Sequence, residues 1–107
     1  MRYYVAGPMT GYPAHNFPAF DAARDRLGAE GHDVITPADI DRGFGIDGTA
    51  ERYDPSELRR VFRADIDAVF GADAIYMLRG WEASRGARAE HAVAVWLGKE
   101  LLYESVT

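Results

Sequence analysis

The sequence predicts an α/β fold: a doubly wound parallel sheet of roughly four to five strands with helices on both faces. Short runs of β-branched and aromatic residues alternate with longer segments of helical periodicity, and turn-forming residues lie between them. Strands that alternate with helices are joined by crossover connections, which make a sheet parallel. The 107 residues fit a single domain that covers 1–107.

The first half of the chain contains two predicted strands and one predicted helix. The first strand is Arg2–Ala6 (RYYVA), and turn formers follow it. Asn16 is the predicted cap of a helix in which apolar residues recur at helical spacing up to Gly31. The second strand is Asp33–Thr36 (DVIT). Residues 38–53 are rich in glycine and aspartate and are predicted to form a long loop, which is usually a functional feature.

The second half contains two predicted helices and two predicted strands. Residues 54–57 (DPSE) are typical of a helix start, because they combine a cap, a proline at the first position and a capping-box glutamate. This helix is expected to end at about Gly71. The third strand is Ala74–Leu78 (AIYML), a helix follows over about Ser84–Leu97, and the last strand is Leu101–Glu104.

This order of elements predicts a flavodoxin-like sheet, in which ligands bind beyond the carboxyl ends of the strands. The segments expected to meet there are Gly7–Gly11, residues 38–53 and Arg79–Gly86. The four predicted strands are few for this architecture, so a second copy of the chain is expected to complete or cover the sheet.

Composition excludes several classes of partner and of chemistry. The chain has 12 basic and 17 acidic residues and a net charge of −5, which argues against binding to a nucleic acid polymer or to an anionic membrane surface. The lack of cysteine excludes disulfides and thiolate chemistry. The histidines lack metal-ligand spacing and no glycine-rich nucleotide fingerprint is present, so no metal and no cofactor are expected. Without a visible signal segment or a long apolar run, the protein is expected to be cytoplasmic.

Two carboxylates lie on the apolar sides of their predicted helices. Asp65 is at the centre of an apolar stripe, whereas Asp67 points to the opposite side, where Arg63 can pair with it. Glu90 lies among residues that are mostly small, which leaves space for a ligand at its carboxylate. A buried carboxylate must be hydrogen-bonded, paired or protonated. The two acids are therefore either structural, through loop amides or arginines such as Arg79, or they are the acid and the nucleophile of glycosidic bond cleavage.

The helix that carries Glu90 has a second apolar side, formed by Ala89, Ala92 and Trp96. A helix that is apolar on more than one side is either buried or shared with a partner chain. We therefore expect a homo-oligomer, a dimer or larger, that forms through the 84–98 helix.

Three segments carry a resemblance to a known family: YVAGPMTG, DIDAVFGAD and SRGARAEHAVAVWLGKEL. Together they resemble the nucleoside 2-deoxyribosyltransferase superfamily, which includes the deoxynucleoside 5-monophosphate N-glycosidases, and more narrowly a short branch common in phage and bacterial genomes. The similarity runs from Tyr3 to Leu102. It implies that Glu90, at the end of a Ser-x-Gly-x-x-x-Glu pattern, is the nucleophile, and that Asp65 supplies a proton to the leaving base. It also implies that Tyr4 hydrogen-bonds to Glu90 and orients it.

The resemblance also implies how a substrate is held. Transferases of free nucleosides usually have Asp where this chain has Ser84, whereas the monophosphate glycosidases have Ser, and a hydroxyl at a helix N-terminus suits a phosphate. Amides near Gly86 and the cation of Arg85 add to this anion site, and Ser84 is in any case a suitable helix cap. Trp81 is either a base-stacking residue or part of an oligomer contact. The turn after the first strand is expected to border the substrate through Gly7, Pro8 and Met9.

The expected function is hydrolysis of the N-glycosidic bond of a deoxyribonucleoside or ribonucleoside 5-monophosphate through a covalent glycosyl-Glu90 intermediate. Two alternatives remain: base exchange on free deoxynucleosides, as in a nucleoside 2-deoxyribosyltransferase, and a non-catalytic module that binds or senses nucleotides. In each case the partner is a small-molecule nucleoside or nucleotide.

Overall fold

The structure, a computed structural model, describes residues 1–47 and 54–105. Its strands are β1 (Arg2–Ala6), β2 (Asp33–Ile35), β3 (Ala74–Met77) and β4 (Glu100–Tyr103). In this described part of the chain, the strands form one parallel sheet in the order β2-β1-β3-β4. The predicted α/β fold is confirmed, with four strands among the described residues.

The helices are α1 (Phe17–Ala29), α2 (Pro37–Gly43), α3 (Pro55–Gly71) and α4 (Arg85–Trp96), with short 3-10 turns at Pro13–Asn16 and Trp81–Ala83. The prediction of a loop over 38–53 is wrong for its first part, because α2 begins at Pro37. Thr36 caps this helix, and its hydroxyl accepts a hydrogen bond from the Asp39 amide at 3.1 Å. The rest of that predicted loop, residues 48–53, lies outside the described residues.

Alternate residues of β1 point to opposite faces of the sheet and therefore belong to two separate cores. On one face, Tyr3 packs in a core that includes Phe20 of α1. On the other face, Tyr4 packs in a core that includes Val69 of α3 and Ala94 of α4. Helices thus cover both faces, and α3 and α4 pack side by side on the same face.

Two glycines let the turns after β1 and β3 approach each other at the carboxyl edge of the sheet. A Cβ atom on Gly7 would lie 2.8 Å from the Cβ of Leu78, which is too close for any side chain. Gly80 has a φ of +88°, and a Cβ atom there would lie 2.9 Å from the Tyr12 hydroxyl. This edge of the sheet is therefore compact, and it brings the segments around Gly7 and Gly80 together.

The C-terminal end of α4 is apolar and exposed, with exposed fractions of 55% for Val95 and 88% for Trp96. Trp96 belongs to the side of the helix on which the sequence predicts a partner chain, and the homo-oligomer stays a prediction. In the described ranges, no helix has the length and the apolar character that a membrane span requires.

Candidate active site

A cavity of about 840 Å³ opens at the carboxyl edge of the sheet. The turn after β1, helices α2 and α3, the segment before α4 and the first turns of α4 all contribute to its wall. Among the residues that the sequence singled out, those that line the cavity are Gly7, Pro8, Met9, Asp65, Ser84, Arg85, Gly86 and Glu90.

The two acids that helical periodicity placed inward both line this cavity. Asp65 of α3 is 7% exposed and Glu90 of α4 is 4% exposed. Tyr4, fully buried on β1, lies beneath them, and its hydroxyl donates a hydrogen bond to Oε2 of Glu90 at 2.9 Å. Because α3 and α4 are neighbours above β1, their inward residues face the same space.

The surroundings of Glu90 act on its proton in two opposite ways. Burial raises the pKa of Glu90 to about 8, although the hydrogen bond from Tyr4 acts in the opposite direction. Burial and the neighbouring carboxylates hold the pKa of Tyr4 well above its usual range, so the phenol remains a hydrogen-bond donor. A carboxylate that receives such a donated hydrogen bond is favoured in its charged form. Glu90 is therefore the acid that ionises more readily.

Asp65 has no comparable support for a negative charge. Burial, followed by the charges of Glu90 and Asp41, raises the pKa of Asp65 to about 9. Among the described residues, its buried Oδ1 atom has no hydrogen-bond partner. Asp65 is therefore held as a neutral acid at neutral pH, with one oxygen unused beside the cavity.

A third buried acid, Asp41, was not identified from the sequence. It lies on α2, is 1% exposed and lines the same cavity. The prediction of a loop hid it, because a loop gives no inward side for a residue to occupy. The signal was present: Asp39 and Asp41 point in different directions on a helix, and Asp39 pairs with Arg24 at 2.6 Å and Arg42 at 3.1 Å.

The mouth of the cavity carries groups that favour an anion. Ser84 caps α4, and its hydroxyl accepts a hydrogen bond from the Ala87 amide at 3.2 Å. Arg85 lines the wall beside it, and Arg59 of α3, which the sequence analysis did not select, lines the wall as well. A helix N-terminus with nearby guanidinium groups can hold a phosphate or a carboxylate.

Trp81 has a different place from the one expected for a base-stacking residue. It is not among the residues that line the cavity. Its ring stacks on His91 with a centroid distance of 4.3 Å and an interplanar angle of 25°. The Nε2 atom of His91 in turn lies 2.8 Å from the Tyr103 hydroxyl. Trp81 is thus part of an aromatic cluster between α4 and β4.

The three carboxylates are not arranged as a metal site. Within residues 1–47 and 54–105, no group of three or more His, Cys, Asp or Glu side chains has an arrangement that could hold a metal ion. The wall of the cavity combines three buried acids with the cations Arg59 and Arg85 and with the N-terminus of α4.

The profile of a protein family described as "Domain of unknown function (DUF4406)" matches residues 1–103. A comparison with curated protein sequences gives no significant match.

Two solved structures are similar in fold. A 2-desoxiribosyltransferase from Leishmania mexicana is 21% identical with a TM-score of 0.68, and the match covers 99% of this chain and 65% of that protein. A 2-deoxyribosyltransferase from Bacillus psychrosaccharolyticus, described as a biocatalyst for the synthesis of nucleosides, is 18% identical with a TM-score of 0.72. That match covers 100% of this chain and 77% of the other. This chain thus spans 65% of the length of the Leishmania protein and shares its fold.

Proposed function

We propose that this chain, which belongs to the DUF4406 family, is an enzyme that cleaves the N-glycosidic bond of a deoxyribonucleoside or ribonucleoside 5-monophosphate. One observation carries the proposal: two buried acids, Glu90 and Asp65, line one cavity, and the hydrogen bond from Tyr4 makes Glu90 the one that ionises more readily. Glycosidic bond cleavage requires such a pair, one acid as nucleophile and the other as proton donor. The fold shared with two 2-deoxyribosyltransferases supports chemistry at this bond.

In the first step, a carboxylate oxygen of Glu90 attacks C1 of the sugar, and the bond from C1 to the base nitrogen breaks. The electron pair of that bond goes to the base, which takes the proton of Asp65. Tyr4 holds the attacking carboxylate in place through its hydrogen bond. The products of this step are the free base, a glycosyl ester of Glu90 and the Asp65 carboxylate.

In the second step, water attacks C1 of the glycosyl ester, and the Asp65 carboxylate accepts its proton. The sugar phosphate leaves, and both acids return to their starting states. A second base in place of water would give a new nucleoside, which is the transferase outcome. The N-terminus of α4 favours the hypothesis of a monophosphate glycosidase over that of a transferase of free nucleosides. The reason is that Ser84 and Arg85 offer an anion site for a 5-phosphate.

The reaction can be tested with a panel of nucleoside 5-monophosphates and the matching free nucleosides, with free base measured by chromatography. We expect base release from at least one monophosphate and slower release from its nucleoside. Addition of a different free base separates the two reactions, since a new nucleoside forms only in a transferase. Absence of base release from every compound would contradict the proposed enzyme and favour the non-catalytic nucleotide-binding module.

The phosphate subsite makes a separate prediction. Replacement Ser84→Asp places a negative charge where the 5-phosphate is expected, so kcat/KM for monophosphates should fall about tenfold to a hundredfold through like-charge repulsion. Free nucleosides should lose much less. The control is Ser56→Asp, because it adds the same charge at the start of α3, outside the residues that line the cavity. An equal loss for monophosphates and nucleosides would contradict a phosphate at Ser84.

A further inference from the structure

The cavity is electrically asymmetric along the edge of the sheet. Helix α4 follows β3, and its N-terminus contributes Ser84 and Arg85 to one end of the cavity. Helix α2 follows β2, at the other side of β1, and contributes Asp41. Asp65 lies on α3, which packs against both α2 and α4. A ligand that lies along this edge therefore meets an anion-binding group at one end of the cavity, the acid Asp65 in the middle and the carboxylate of Asp41 at the other end.

Hydrogen bonds hold the backbone of α2 at Asp41. The backbone oxygen of Asp41 accepts hydrogen bonds from the amides of Phe44 at 3.0 Å and of Ile46 at 2.9 Å. The Asp39 ion pairs hold the outer side of the same helix.

A second observation points to a ligand rather than to a structural cluster. Asp65 lines the same cavity, and its buried Oδ1 atom lacks a hydrogen-bond partner among the described residues. A polar atom in this state is uncommon in folded proteins and is satisfied when a bound molecule supplies a polar group. The side of the cavity that α2 and α3 form thus offers carboxyl oxygens at two positions, Asp41 and Asp65, to one ligand.

We propose that Asp41 is a specificity-determining residue, which accepts hydrogen bonds from the leaving base and selects bases that carry an amino group. The inference rests on the proposed function, since the 5-phosphate at the α4 end directs the base toward α2. An ionised carboxylate only accepts hydrogen bonds, so it matches an amino group and repels a carbonyl oxygen at the same position. The substrate class is therefore a nucleoside 5-monophosphate with an amino-bearing base.

Deoxycytidine and deoxyuridine 5-monophosphates test this selection, because their bases differ in the amino or carbonyl group at one ring position and the proton of the adjacent nitrogen. Cleavage is measured with the unmodified enzyme, and binding is measured by calorimetry with Glu90→Gln, which retains the cavity. We expect the amino-bearing nucleotide to be favoured about tenfold to a hundredfold in kcat/KM and in affinity. Equal values for the two nucleotides would overturn the proposal, whether or not any variant of Asp41 folds.

The variant Asp41→Asn should remove this preference, because a carboxamide can both donate to a carbonyl oxygen and accept from an amino group. The control is Asp33→Asn, the same substitution at an exposed residue of β2 outside the cavity lining, which should leave the ratio between the two nucleotides unchanged. A variant that loses activity equally on both nucleotides would assign Asp41 a structural role and overturn the inference. If no nucleotide is cleaved but the amino-bearing one binds more tightly, the inference holds and the proposed enzymatic function fails.

Discussion

Replacement of Glu90 by Gln is expected to lower the rate of base release by about a thousandfold or more while the protein stays folded. The carboxamide has the shape of the carboxylate, and its oxygen can still accept the hydrogen bond that Tyr4 donates at 2.9 Å. It cannot form the glycosyl ester, so the two-step reaction is lost. The measurement is single-turnover base release, together with circular dichroism to verify the fold.

The control for this change is Glu82→Gln, which makes the same chemical substitution at an exposed residue outside the cavity lining. A covalent intermediate gives an independent test, since mass spectrometry of the quenched unmodified enzyme should show one added sugar phosphate on the peptide that contains Glu90. Full activity of Glu90→Gln would contradict its assignment as the nucleophile.

The strands and long helices could be predicted because local patterns determine them. Asp54 and Pro55 at the start of α3, Ser84 at the start of α4 and the strand Arg2–Ala6 lie where the sequence placed them, within a residue or two. Helical periodicity also sufficed to turn Asp65 and Glu90 inward, since side-chain direction in a long helix follows from residue number. Which acid would be the nucleophile came from the resemblance, because the Tyr4–Glu90 hydrogen bond joins residues far apart in sequence.

The features that were missed depend on context beyond a short window. Helix α2 is one short helix after a strand, and the glycines at its end and in the sequence beyond it hid its Thr36 cap and Pro37 start. Asn16 lies at the cap position of α1, as predicted, but with a φ of 61° its side chain makes no cap hydrogen bond and donates instead to the Pro8 carbonyl at 2.9 Å. Trp81 lies in an irregular segment, where periodicity does not tell which neighbour a ring will meet, and it stacks on His91.

The acid–base assignment makes a second strong prediction, in which stability and activity change in opposite directions. In the unfolded chain, the pKa of Asp65 returns to its ordinary value of 3.8, whereas in the folded chain it is raised to about 9. Below pH 3.8, both states hold the proton, and Asp65 has no effect on stability. Between those two pKa values the folded state holds more protons than the unfolded state, so rising pH favours unfolding.

The variant Asp65→Asn removes this pH-dependent destabilisation, because asparagine stays neutral in both states. We expect its free energy of unfolding at pH 7 to exceed that of the unmodified protein by on the order of 2–4 kcal/mol. The difference should shrink toward pH 4. Urea denaturation at several pH values measures it, and Asp67→Asn, on the exposed side of the same helix, is the matched control that should show no such dependence.

The same variant should be a poorer enzyme, because it cannot give a proton to the leaving base. The loss should be about a hundredfold or more for bases that leave only when protonated, and smaller for bases that leave readily as anions. Asp65→Asn should also abolish the fall of kcat/KM at high pH, since that fall reports the loss of the Asp65 proton near its pKa of about 9. A variant that is both less stable and equally impaired with every base would mean that Asp65 supports the fold rather than donates a proton.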